Sequence, residues 1–132
     1  MEVLVVVIVL SILALVVVPE FTSATTSTRD ATLRANLRGM RAAISLFKIE
    51  HSDDYPNYAT FANEMTLASK ADKSTAAIGT ALYIYGPYVR AIPLNPFNSL
   101  NTLAATLTGA TGWTYNETTG AFNANDGAHD TW

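Results

Sequence analysis

The sequence predicts an α+β chain: a long N-terminal helix, apolar in its projecting first half and amphipathic in its packed second half, on a small antiparallel β-sheet. Three observations predict it. Residues 3–18 read VLVVVIVLSILALVVV, interrupted only by Ser11. Residues 29–50 place Leu33, Leu37, Met40, Ile44 and Phe47 four, three, four and three apart, the repeat of one helical face. Residues 112–125, GWTYNETTGAFNAN, set Trp113 and Tyr115 in alternation with polar residues ahead of a turn at 116–120, the pattern of a β-hairpin.

The apolar run comes first in the chain. A strand of 16 residues would far exceed the usual ~5–6. A secretory signal peptide starts basic and ends in a small-residue cleavage site. Here the only early charge is Glu2, and the run ends in VVVPEF. A helix that lies in a membrane, and afterwards in another apolar environment, accounts for the run. A spanning helix needs ~20 apolar residues, with a lower bound of ~17, so this run sits at that bound. Glu2 is costly at the edge of such a helix. Either it meets a positive amine, its own or a neighbour's, or it rests at headgroup level.

Pro19 follows and is expected to end or kink the helix, because it has no N–H and crowds the carbonyl of Leu15. Residues 21–28, FTSATTST, hold six Ser or Thr, which offer the backbone competing hydrogen bonds. They read as a linker or as a helix with a polar face. The amphipathic helix of 29–50 begins near Asp30, whose charge suits a helix start, and its Leu33–Phe47 stripe is expected to pack on the sheet. HSDDYPNY (51–58) stops it, with His51, Asp53 and Asp54 at a solvated helix end and Pro56 beyond. Residues 59–70 suit a short helix, 70–80 a loop and 81–85 a strand or helix end. Pro87, Pro93 and Pro96 forbid regular helix over 86–97. The domain reading is 1–20 for the apolar half-helix, 21–50 for the amphipathic half and 51–132 for a globular region.

Composition bounds the function. The chain has 132 residues, one domain's worth. Charged residues make up 14%, against a norm of roughly 25%. The net charge of −3 and a pI near 5.2 argue against a nucleic-acid partner. There is no Cys, hence no disulfide framework, thiolate metal site or Cys nucleophile. Charge is unevenly spread. Residues 29–50 carry five basic and two acidic side chains (+3), 51–132 three basic and seven acidic (−4), and 1–28 only Glu2 and Glu20. The two His and scattered Gly form no catalytic set or phosphate loop, so the expectation is a structural protein and not an enzyme.

Glu2 followed by the aliphatic run, Pro19 and an amphipathic helix resembles the N-terminal signature of type IV pilins and type II secretion pseudopilins. Two further stretches are similar to major pseudopilins: Asp54-Tyr55-Pro56 after the helix, and Gly86-Pro87-Tyr88 with Pro93-Leu94-Asn95-Pro96-Phe97. The resemblance covers nearly the whole chain except 98–111. It implies a pilin-like fold and a subunit that polymerises into a helical filament, either a surface type IV pilus or a periplasmic pseudopilus. It implies a leader peptide, a cleavage Gly and three further residues ahead of Met1, with N-methylation of the mature terminus. Glu2 and Pro19 would set assembly and register; Val3, Leu4, Val7, Ile8, Leu10, Ile12, Leu15 and Val16 would form the filament core. Local melting of 16–24 is implied in the filament.

Implied partners are copies of the chain, the bacterial inner membrane before assembly, a prepilin peptidase, an assembly ATPase and a platform protein. Major pseudopilins also bind calcium in a C-terminal acidic loop. Here the loop offers Asn123, Asn125, Asp126 and Asp130, so Asp126 and Asp130 are weak calcium candidates and no other cofactor is expected. Asn116-Glu117-Thr118 fits the N-glycosylation sequon and is read as a chance match. The alternative function is a membrane-tethered extracytoplasmic binding module, with residues 1–18 as anchor only.

Overall fold

The computed structural model describes residues 1–132 and has the α+β class. In chain order its elements are α1 (Glu2–Glu50), α2 (Phe61–Thr66), β1 (Ala68–Ser69), β2 (Thr75–Ala76), β3 (Leu103–Ala104), β4 (Trp113–Tyr115) and β5 (Phe122–Ala124). The chain divides into two units, 1–32 and 33–132.

In the first unit α1 passes through Pro19, so the expected helix end is not there, and residues 16–24 of the single chain are helical. One proline removes a single N–H donor, while the flanking turns keep theirs. The Ser/Thr segment does not leave the helix either. Thr22, Thr25, Thr26 and Thr28 donate their hydroxyls to the carbonyls of Val18, Phe21, Thr22 and Ala24, four residues back, at 2.8–3.2 Å. Their hydrogen bonding is met inside the helical conformation. Because α1 starts at Glu2, Asp30 lies mid-helix and cannot serve a helix start. Glu2 occupies the first turn instead.

The second unit is built on the Leu33–Phe47 stripe. Leu33, Leu37, Met40, Ile44 and Phe47 are buried in one core with Phe61 and Met65 of α2, and Trp113, Tyr115, Phe122 and Ala124 of β4 and β5. Each such large side chain contributes about 1.5–3 kcal/mol on full burial. The helix ends where Ser52 and Asp53 turn left-handed (φ 59° and 70°) and the Asp53 N–H closes on the Lys48 carbonyl at 3.0 Å. Lys48 reaches the Asp53 carboxylate at 3.2 Å.

The sheet expectation needs one correction. β4 and β5 form the antiparallel hairpin, in register Trp113↔Ala124 and Tyr115↔Phe122, but β3 joins β4 in parallel, so this three-stranded sheet is mixed. The parallel strand comes from 98–111, the stretch with the weakest sequence pattern. A separate antiparallel pair joins β1 to β2, so part of the expected 70–80 loop is strand. The hairpin turn is held by Asn116, whose Oδ1 accepts the N–H groups of Thr118 and Thr119. Gly120 closes it at φ +70°, where a Cβ would lie 2.2 Å from the Tyr55 ring. Within 81–85 only Tyr85 bridges, to Ser69. Residues 86–97 are irregular and pinned from both ends. The Tyr88 and Val89 N–H groups both donate to Met65 O at 3.0 Å. Asn95 is fully buried; its Nδ2 donates to Gly112 O and its Oδ1 accepts the Phe97 N–H.

Candidate assembly surface

The apolar half of α1 is the candidate surface of the first unit. Each residue from Met1 to Arg29 is exposed. The large aliphatics between Val3 and Val18 range from 45% to 76% exposed. These include Val3, Leu4, Val7, Ile8, Leu10, Ile12, Leu15 and Val16. Their exposure runs around the whole circumference, because the run has apolar residues at every helical position but that of Ser11, whose hydroxyl bonds back to Val7 O at 2.7 Å. None of this apolar stretch is buried, and the helix is long and apolar enough to cross a membrane. An apolar surface of this extent is not kept in water. Glu2 opens this surface in the first turn and Pro19 and Glu20 stand at its other end, all exposed.

The second unit carries a separate candidate surface, a basic groove. Arg34, Leu37, Arg38, Arg41, Thr131 and Trp132 line it, enclosing about 350 Å³. Helical spacing places Arg34, Arg38 and Arg41 along one edge beside the buried stripe. Arg41 is fixed by three acceptors: its Nε donates to Phe122 O at 3.0 Å, and its Nη2 to Asn123 Oδ1 at 2.9 Å and to Trp132 O at 2.6 Å. The Arg34 guanidinium lies 3.8 Å over the Trp132 ring, a cation–π contact. Trp132 in turn packs edge-on against His129, and His129 against Phe97. Arg41 carries a structural role that its position in a basic stripe does not announce, since the acceptors that hold it are 81 to 91 residues away.

The sequence places His51 at a solvated helix end, and the structure corrects this. His51 is 1% exposed, stacked on Phe47 at 3.7 Å. Its Nδ1–H donates to Phe47 O at 2.8 Å and its Nε2 accepts the Ser69 hydroxyl at 3.1 Å. It faces inward because position 51 continues the 44–47 face, and Tyr85 and Tyr88 close over it. Asp53 and Asp54 turn outward to Lys48 and Lys73, so the three do not converge. Glu64, 1% exposed, is another buried polar residue without a sequence signal; it accepts from Asn57 N, Asn57 Nδ2 and Thr60 Oγ1.

The two carboxylates weighed for calcium, Asp126 and Asp130, are both engaged by donors within the chain. No group of three or more His, Cys, Asp or Glu side chains is placed to hold a metal. The Asp126 carboxylate already accepts the N–H groups of Ala128 and His129, Asn95 Nδ2 and His129 Nδ1. Asp130 accepts the Gly127 N–H, and Asn125 holds the 108–111 loop. Protons from four donors thus point at the oxygen atoms a cation would need. Burial pushes the Asp126 carboxyl up, but those hydrogen bonds outweigh it and hold it below the ordinary 3.8. A depressed carboxyl contributes stability that is full above its unfolded value and is lost as pH falls through the folded one. As pH falls from the ordinary carboxyl value of 3.8 through the lower folded one, amide protection at Ala128 and His129 should therefore fall. Asp126→Asn should show lower protection already at neutral pH and little further change; hydrogen exchange checks this.

Compared with family models, curated proteins and solved structures, the chain matches none.

Proposed function

We propose that this chain is the structural subunit of a type IV pilin-like filament, held in a membrane by residues 1–20 before assembly and bundled with copies of itself afterwards. One observation carries the reading: the aliphatic surface of residues 3–18 is exposed on every side of α1. Burying the remaining half of each such side chain is worth about 1 kcal/mol, on the order of 10 kcal/mol for the run. Lipid supplies that burial for a single chain and a bundle of like helices supplies it for many. Repeated contacts that do not close a ring generate a helical fibre. Surface pili and periplasmic pseudopili share this construction. In both, the resemblance supplies a peptidase, an assembly ATPase and a platform protein as partners. Glu2 would neutralise the N-terminal amine of a neighbour inside the bundle.

Electron microscopy of material sheared from expressing cells tests the reading. Fibres are expected from the intact chain, and inert monomers once residues 1–20 are removed. A binding module merely tethered by those residues would keep its ligand activity after the same deletion. Glu2→Ala should reduce or abolish fibre yield while leaving the circular dichroism of the 33–132 unit unchanged. Intact chain that stays monodisperse in plain buffer without detergent overturns the proposal.

A further inference from the structure

The acidic residues of the chain divide sharply by whether they already have a partner. Asp53 and Asp54 pair with Lys48 and Lys73. Glu50 accepts the Tyr88 hydroxyl, Glu117 the Tyr58 N–H and Asp72 the Ser74 N–H and hydroxyl. Glu64, Asp126 and Asp130 are engaged as described above, and Asp30 is engaged as well. Of the eleven acidic residues, Glu2 and Glu20 are left. Among the basic side chains Arg29, Arg38 and Arg90 are exposed with no hydrogen bond, ion pair or ring contact, and of these Arg38 alone stands in the groove with Arg34 and Arg41. Its neighbours are held in place, Arg41 by three acceptors and Arg34 by the Trp132 ring, so the groove is a preformed cationic wall.

Glu20 needs a cation. It closes the aliphatic surface next to Pro19, and a carboxylate carried into a bundle of apolar helices costs several kcal/mol unless it is paired. The first 28 residues contain no Lys or Arg, and the N-terminal amine belongs to the opposite end of the run with Glu2, so the apolar segment has no cationic side chain of its own for Glu20. We propose that the Arg34–Arg38–Arg41 groove of one copy receives the Glu20 carboxylate of a second copy, with Arg38 as the direct ion partner, and that this contact sets which copies lie side by side. The inference rests on the filament reading and names its lateral contact. Charge complementarity selects the occupant: a segment whose charged side chains are all acidic against a groove whose charged side chains are all basic.

The chain has no cysteine, which makes the test clean. Full-length E20C/R38C is expressed in cells, assembled and oxidised, then run on a denaturing gel without reductant; E20C and R38C singly are the controls. A ladder of dimers and higher oligomers from the double variant, absent from each single, is expected. Separately, Glu20→Arg and Arg38→Glu should each lower the sedimentable fibre yield about tenfold, since like charges brought together are strongly unfavourable. The combined reversal should recover it to within about twofold. Fibres from wild type accompanied by no ladder overturn the pairing. So do single reversals that assemble like wild type, or a combined reversal no better than the singles; all three leave polymerisation standing. Absence of any fibre from wild type overturns the filament reading, and the pairing with it.

Discussion

Leu10→Lys should release the full-length protein from the membrane fraction of cells. Leu10 lies mid-run and is 59% exposed. At the centre of a spanning helix Lys costs roughly 2.5–3.5 kcal/mol and Leu contributes about −0.5, so the exchange is worth about 3–4 kcal/mol. At 1.4 kcal/mol per factor of ten, that moves the partition by a factor on the order of several hundred. In a bundle the same ammonium would be buried without a counter-charge, which is at least as unfavourable. The matched control is Leu82→Lys. Leu82 is 78% exposed, in a loop of the second unit, where a surface exchange stays within about 0.5 kcal/mol. Alkaline extraction followed by sedimentation checks both variants. Equal retention of Leu10→Lys and wild type would remove the apolar surface from the argument.

Trp113→Ala should unfold or severely loosen the 33–132 unit. Trp113 is fully buried, stacks on Phe122 at 5.2 Å and donates its indole N–H to Pro93 O at 2.8 Å. It also occupies the central strand β4, between β3 and β5. Truncation of a buried Trp costs about 3–5 kcal/mol, out of a total that is ordinarily 5–15. The Pro93 carbonyl is left without its donor, which adds to the loss. Calorimetry of the full chain in detergent should show the thermal midpoint down by roughly 15 °C or more. Trp132→Ala, at the partly exposed edge of the core, should move it much less. Equal effects from the two would mean that the sheet does not organise the core as described.

Much of the architecture is legible from local pattern. The Leu33–Phe47 stripe reports its own burial because a 3.6-residue period against one core admits a single inward face. The 113–124 hairpin is legible because its aromatic alternation and its Asn and Gly turn act within a dozen residues. The helix end expected at Pro19 is absent because sequence shows the lost donor and not the neighbouring turns that hold. His51 misleads because its two flanking aspartates signal solvent, while the aromatic rings that enclose it, Tyr85 and Tyr88, arrive from more than thirty residues away. The parallel placement of β3 has no local signature at all: it depends on how the 105–112 loop is gathered by the buried Asn125 side chain.

The candidate surface divides along the same line. The aliphatic run and its lone end charges, Glu2 and Glu20, are properties of consecutive residues, so the sequence by itself determined that one end of this protein must leave water. Which arginine of a basic stripe is fixed and which is free, and that Asp126 accepts N–H groups from its own loop and from Asn95, were decided only by tertiary structure. The physical reason is reach. Solvation preference and helical period accumulate over neighbours in the chain, whereas a hydrogen-bond partner 80 or 90 residues distant, as for Arg41, exists only once the fold has brought it within 3 Å.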